Sequence, residues 1–136
     1  MQTSCFKHYN GAGRIIISRG YPRDLGSGYK IYRALAPGEW FRLPAYQSSE
    51  AKFRERYFHE ILAPLNPQAV YDHLHKLAGD AEPVLLCWEK DPSKPDDWCH
   101  RRMVAEWFYD ALGVAVPEYM PEKKSKQKEK QATLFD

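Results

Sequence analysis

Cysteine is scarce in this chain of 136 residues: Cys5, Cys87 and Cys99 are all there is, and no two stand in a CxxC spacing. An odd number without regular spacing excludes a secreted disulfide scaffold, and it favours reduced thiols or a functional pair over structural bridges. A Cys87–Cys99 disulfide stays open at this stage. Long apolar runs are missing too. The longest, Ile15-Ile16-Ile17 and Val84-Leu85-Leu86-Cys87-Trp88, fall far short of the roughly 20 residues that a bilayer span requires. No early stretch joins a basic start to an apolar run of signal-peptide length, so a soluble cytoplasmic protein without membrane contact is expected.

Charge of one sign is also lacking, since 20 Lys and Arg face 18 Asp and Glu. Five Lys and three acids lie in 122–136, which leaves 15 of each in residues 1–121. The net charge of +2 therefore belongs to the tail. A neutral body excludes bulk electrostatic binding of polyanions, though local Arg clusters can still hold a phosphate.

What is present is a core. A hydrophobic content of 43% with 14% aromatics supports one compact α/β domain over 1–121. Residues 13–18 form a β-branched run that Gly20 and Pro22 terminate, which predicts a buried strand. Residues 24–44 are irregular, with Trp40-Phe41-Arg42-Leu43 as a short strand. A helix is expected from a Ser48 cap to about Leu62, with Phe53, Tyr57, Phe58, Ile61 and Leu62 on one stripe, ended by Pro64. Asn66-Pro67 opens a second helix carrying Val70, Leu74 and Leu77, which stops at Gly79.

The apolar run 84–88 suits a strand buried on both faces, as in a parallel sheet. A loop over 89–97 follows, then a third helix capped by Asp96 or Asp97, with Met103, Val104, Trp107, Phe108, Ala111 and Leu112 facing the core, closed by Gly113. Val114-Ala115-Val116 reads as a last strand beside the previous one. The order strand, two helices, strand, helix, strand implies a small three-layer α/β domain with a mainly parallel sheet and right-handed crossovers.

Past Pro121 apolar residues vanish until Leu134-Phe135. The Lys-rich stretch 122–130 reads as a flexible linker and 131–136 as a tethered peptide. Gln131, two variable residues, then Leu134 and Phe135 resemble the motif by which bacterial replication and repair proteins bind the DNA sliding clamp. The resemblance implies that Leu134 and Phe135 fill an apolar pocket while Gln131 bonds at its rim. The bland alternative is a latch of Leu134 and Phe135 onto the protein's own surface.

In a parallel sheet a ligand site is expected beyond the carboxyl ends of the strands. Two clusters fall there: Ser18-Arg19-Gly20-Tyr21-Pro22-Arg23, and Cys87-Trp88-Glu89 with Cys99-His100-Arg101-Arg102. With Ile17 to Pro22, Leu35-Ala36-Pro37, 84–89, 98–107 and 112–118, these segments resemble the bacterial family known as domain of unknown function 488, over about residues 13–118. The resemblance implies a compact α/β domain with the Cys-His-Arg cluster as its hallmark, and little about activity.

Read from the residues, the cluster supports several chemistries. Arg19, Arg23, Arg101, Arg102 and the helix N-terminus, with Ser18, suit a phosphate of a nucleotide or nucleic acid, with Tyr21 or Trp88 free to stack a base and Cys87 in the wall. Cys99 suits a thiolate nucleophile, with Glu89 or His100 moving protons. Zinc is disfavoured, because adjacent residues on a helix diverge and Cys99-His100 would chelate poorly, so no metal and no cofactor are expected. In the purely structural reading Cys87 is a small hydrophobe, Glu89 pairs with Arg101 or Arg102, and His100 caps the helix.

The function expected from these residues is that of a DNA-metabolism accessory protein recruited by the sliding clamp, whose Arg/Cys/His pocket binds or processes a nucleotide or nucleic-acid group. A non-catalytic clamp-associated adaptor and a thiol-dependent hydrolase or transferase unrelated to DNA are the alternatives.

Overall fold

The structure is a computed structural model that describes residues 1–88 and 98–119. Its elements are β1 (Gln2–Cys5), β2 (Arg14–Ile16), β3 (Lys30–Ile31), two 3-10 turns (Arg33–Leu35 and Glu39–Arg42), α1 (Pro44–Gln47), α2 (Glu50–Arg56) running into a π-helical stretch (Tyr57–Leu62), α3 (Pro67–Ala78), β4 (Val84–Cys87) and α4 (His100–Leu112). The four strands form one parallel sheet in the order β1-β4-β2-β3.

Register decides which residues face which layer. Thr3, Leu85 and Ile15 stand opposite one another. Leu85 and Ile15 join Ile17 in one core with Val70 and Leu74 of α3 and Met103, Val104 and Phe108 of α4. Ser4, Leu86 and Ile16, one residue out of phase, point the other way and are still no more than 1% exposed. On that side Arg14 lays its guanidinium 4.3 Å from the Tyr29 ring centre, and Tyr29 packs on Phe6, which packs on Trp88. Helices α3 and α4 cover one face of the sheet and loop-borne aromatics pack on the other, and burial on both faces is why 84–87 is uniformly apolar.

The expected helix stripe over 53–62 holds: Phe53, Tyr57 and Leu62 are buried. Its start is one residue later, because the Ser49 side chain accepts the Lys52 amide while Ser48 Oγ donates back to the Pro44 carbonyl and closes α1. Asn66 caps α3 as expected, accepting from the Ala69 amide at 3.0 Å, and Gly79 ends it at φ 69°.

Three expectations are corrected. Trp40-Phe41-Arg42-Leu43 is not a strand; Glu39–Arg42 is a 3-10 turn that drops Trp40 into the core, with its indole N–H donated to Glu60. Val114-Ala115-Val116 forms no strand beside β4, because β1 occupies that edge. The segment instead runs along the outer side of β1 with a single bridge, Thr3 to Glu118, held by the Thr3 amide on the Pro117 carbonyl and the Tyr119 amide on the Thr3 carbonyl. Neither Asp96 nor Asp97 caps α4, since the N-cap is Cys99. The loop assigned to 89–97, the linker and the terminal peptide lie outside the described residues.

Strands β1 and β3 escape the sequence pattern. Gln2-Thr3-Ser4-Cys5 shows no apolar alternation, yet Thr3 and Ser4 are fully buried and Thr3 Oγ1 is hydrogen-bonded to Glu118 and Arg102. Among the described residues no helix is long and apolar enough to cross a membrane.

Leu74 has no exposed surface and touches the common core, whereas Leu43 is 53% exposed. Leu74→Ala is expected to lower unfolding free energy by about 2–5 kcal/mol and Leu43→Ala by less than about 0.5, at unchanged m-value in urea.

Candidate functional site

Strands β2 and β4 are neighbours, but the chain leaves them in opposite directions. After β2 it moves outward to β3; after β4 it passes through α4 to the far side of β1. Such a divergence opens a crevice at the carboxyl ends of the two strands. A cleft of about 240 Å³ lies there, lined by Ser18 and Arg19 after β2, Cys87 and Trp88 at the end of β4, and Trp98, Cys99 and His100 at the start of α4. Pro37, Phe41, Gln47 and Phe53 complete the wall.

Cys99 carries extended backbone angles, φ −145° and ψ 146°, and only His100 begins the helix. The two side chains therefore converge rather than diverge, with Cys99 Sγ 3.9 Å from His100 Nδ1. The pairing left open by the sequence is present: Cys87 and Cys99 form a disulfide with their Cα atoms 7.8 Å apart, while Cys5 is a buried free thiol.

His100 is not a helix cap. Its Nε2 lies 2.9 Å from the Ile17 carbonyl, which can only accept, so the proton sits on Nε2 and the Nδ1 lone pair faces the sulfurs. Burial, with a smaller push from Arg101, lowers its pKa to about 4 against the Ile17 bond, so the ring is neutral at neutral pH. Tyr57 stands edge-on at 5.4 Å, and its hydroxyl, donated to the Leu35 carbonyl, is held well above its usual pKa by burial.

Arg101 is fully buried. Its Nε and Nη2 clasp the Glu118 carboxylate at 2.9–3.2 Å, and Nη1 donates to Cys87 Sγ at 3.0 Å and to the Trp88 carbonyl at 3.3 Å. A buried cation demands this degree of satisfaction. Among the described residues the acid on Arg101 is Glu118, which sequence reasoning did not name; the signal for it was that a buried arginine needs an acid from somewhere. Glu89 itself lies outside the described residues.

The other candidates divide. Arg19 reaches the cleft and holds Glu39 at 3.0 Å and the Pro37 carbonyl at 3.4 Å. Ser18 is buried and donates to the Gly20 carbonyl at 2.5 Å. Trp88 stands at the cleft 46% exposed. Tyr21 and Arg23 are exposed and do not line it. Arg102 points elsewhere, donating to Thr3 Oγ1 and the Val116 carbonyl at 2.8 Å, and burial lowers its pKa. Phe53, read from sequence as core alone, also forms cleft wall.

Fold and site together define a small parallel-sheet α/β domain with a Cys-His-Arg centre at its switch point. The chain belongs to the family described as Domain of unknown function DUF488, whose model matches residues 18–108 and so takes in the cleft residues from both strands and α4. No functionally curated protein and no solved structure matches the chain.

Removing either partner of the Arg101–Glu118 pair strands a buried charge. Arg101→Met and Glu118→Met are each expected to destabilise by about 3–5 kcal/mol, whereas the two together cost less than the sum of the singles. Urea unfolding of the four proteins in a double-mutant cycle checks both statements.

Proposed function

We propose that this chain is a DNA-metabolism accessory protein brought to a bacterial-type DNA sliding clamp by Gln131, Leu134 and Phe135, and that its cleft binds or processes a nucleotide or nucleic-acid group. The observation that carries the recruitment is the sequence Gln131-Ala132-Thr133-Leu134-Phe135 behind five lysines. Two large apolar side chains and one amide at this spacing suit a pocket with a polar rim, and the lysines favour encounter with an acidic ring or with nearby DNA.

The cleft supports the second half of the reading. Trp88, half-exposed at the cleft, suits stacking with a base, and Arg19, which lines the same cleft and is paired there with Glu39, suits a phosphate that takes the carboxylate's place. Arg101 and Arg102 serve differently from Arg19: both are anchored inside the protein and shape the site rather than meet a ligand. The non-catalytic adaptor reading keeps the tail and treats the cleft as structure.

Titration of a fluorescent peptide of residues 122–136 with purified clamp is expected to give saturable binding in the micromolar range. The same peptide with Leu134→Ala and Phe135→Ala is expected to lose it. Equal binding by both peptides, or none by either, overturns the recruitment.

A further inference from the structure

We propose that in the reduced protein Cys87, Cys99 and His100 bind one zinc ion through two thiolates and an imidazole, with the fourth coordination position facing the cleft. The proposal does not depend on the clamp. It rests on the two sulfurs and the imidazole nitrogen lying within 4.8 Å of one another, all three residues being buried.

The expected objection to such a site is that neighbouring residues on a helix splay apart. It fails here because Cys99 precedes the helix in extended conformation and aims its sulfur at His100 Nδ1. The Ile17 carbonyl fixes the ring from behind, which leaves Nδ1 with its lone pair directed at the sulfurs. This is the arrangement by which metal-binding histidines are oriented, one nitrogen on a backbone carbonyl and the other on the ion.

Cys87 has its own outer partner. The Arg101 Nη1 donates to its sulfur, and a hydrogen bond from a guanidinium is strongest when the acceptor is a thiolate. Two thiolates neutralise a divalent ion, and Glu118 forms an ion pair with Arg101 beside them. The Cα separation of 7.8 Å is wider than the roughly 4.4–6.8 Å usual for a disulfide, and two sulfurs shared by a central ion suit the wider span.

Thiolate with imidazole selects zinc over harder divalent ions. Among the described residues three ligands stand beside the cleft, and the fourth position of a tetrahedral zinc faces it. The chemistry balances as follows: a phosphine reductant and one water give two electrons and two protons to the Cys87–Cys99 bond, leaving two thiols and a phosphine oxide. Zinc then displaces the two thiol protons to solvent without changing its own oxidation state.

The test uses the full chain, reduced with a phosphine under nitrogen and titrated with Co²⁺ and then Zn²⁺ against a chromophoric chelator. One equivalent is expected to bind, with sulfur-to-cobalt charge-transfer bands that zinc bleaches. Cys87→Ser, Cys99→Ser and His100→Ala should each weaken zinc by more than the roughly 10- to 100-fold cost of altering an outer partner, and Cys5→Ala should leave affinity unchanged. The unmodified protein supplies a check that needs no variant: bound zinc should block alkylation of two thiols per chain, mapped to Cys87 and Cys99. Cobalt binding without charge-transfer bands, or alkylation at those two residues unaffected by saturating zinc, overturns the site. Loss of clamp binding with zinc binding intact would count against recruitment alone.

Discussion

A guanidinium sealed from solvent sets the geometry of the cleft end of this protein. Arg101 has no water to fall back on, so the fold must bring it a carboxylate and other acceptors. It recruits Glu118 from the segment beside β1, the Trp88 carbonyl and the Cys87 sulfur from the end of β4, and it does so from the first turn of α4. Three parts of the chain that share no sequence proximity are thereby pinned at one point. Cys99 and His100, the two residues before it, are delivered to the same place.

The sheet order explains why that point is also a cleft. A chain that leaves β2 in one direction and β4 in the other forms a crevice between their ends. Trp88 and Arg19 stand exposed at the opening, Ser18 and His100 line it from buried positions, and Arg101 stays behind it. The proposed recruitment by the tail and the proposed metal site in the cleft are separable on this plan, one residing in a peptide and the other in the sheet.

Much of this was legible in the residues, and the failures have physical causes. Apolar periodicity located α3, α4 and the stripe Phe53, Tyr57 and Leu62, because burial is what those spacings encode. Both halves of the cleft, Ser18-Arg19 and Cys87-Trp88 with Cys99-His100, were readable as strand ends and a helix start. β1 was not, since its buried Thr3 and Ser4 look like surface, and their place in the sheet depends on partners over 80 residues away. The convergence of Cys99 and His100 was hidden by assigning the helix cap two or three residues early. Whether adjacent side chains meet or diverge turns on a single backbone angle, which no composition records.

The most direct test of the central claim is the X-ray absorption spectrum at the zinc edge of the reduced, zinc-loaded full chain. Two sulfur scatterers at about 2.3 Å with one imidazole nitrogen at about 2.0–2.1 Å, and a further light atom in the remaining position, are the predicted shell. A shell of nitrogen and oxygen alone would contradict the account, because it would mean that the sulfurs gathered by Arg101 and His100 are not presented to an ion at all.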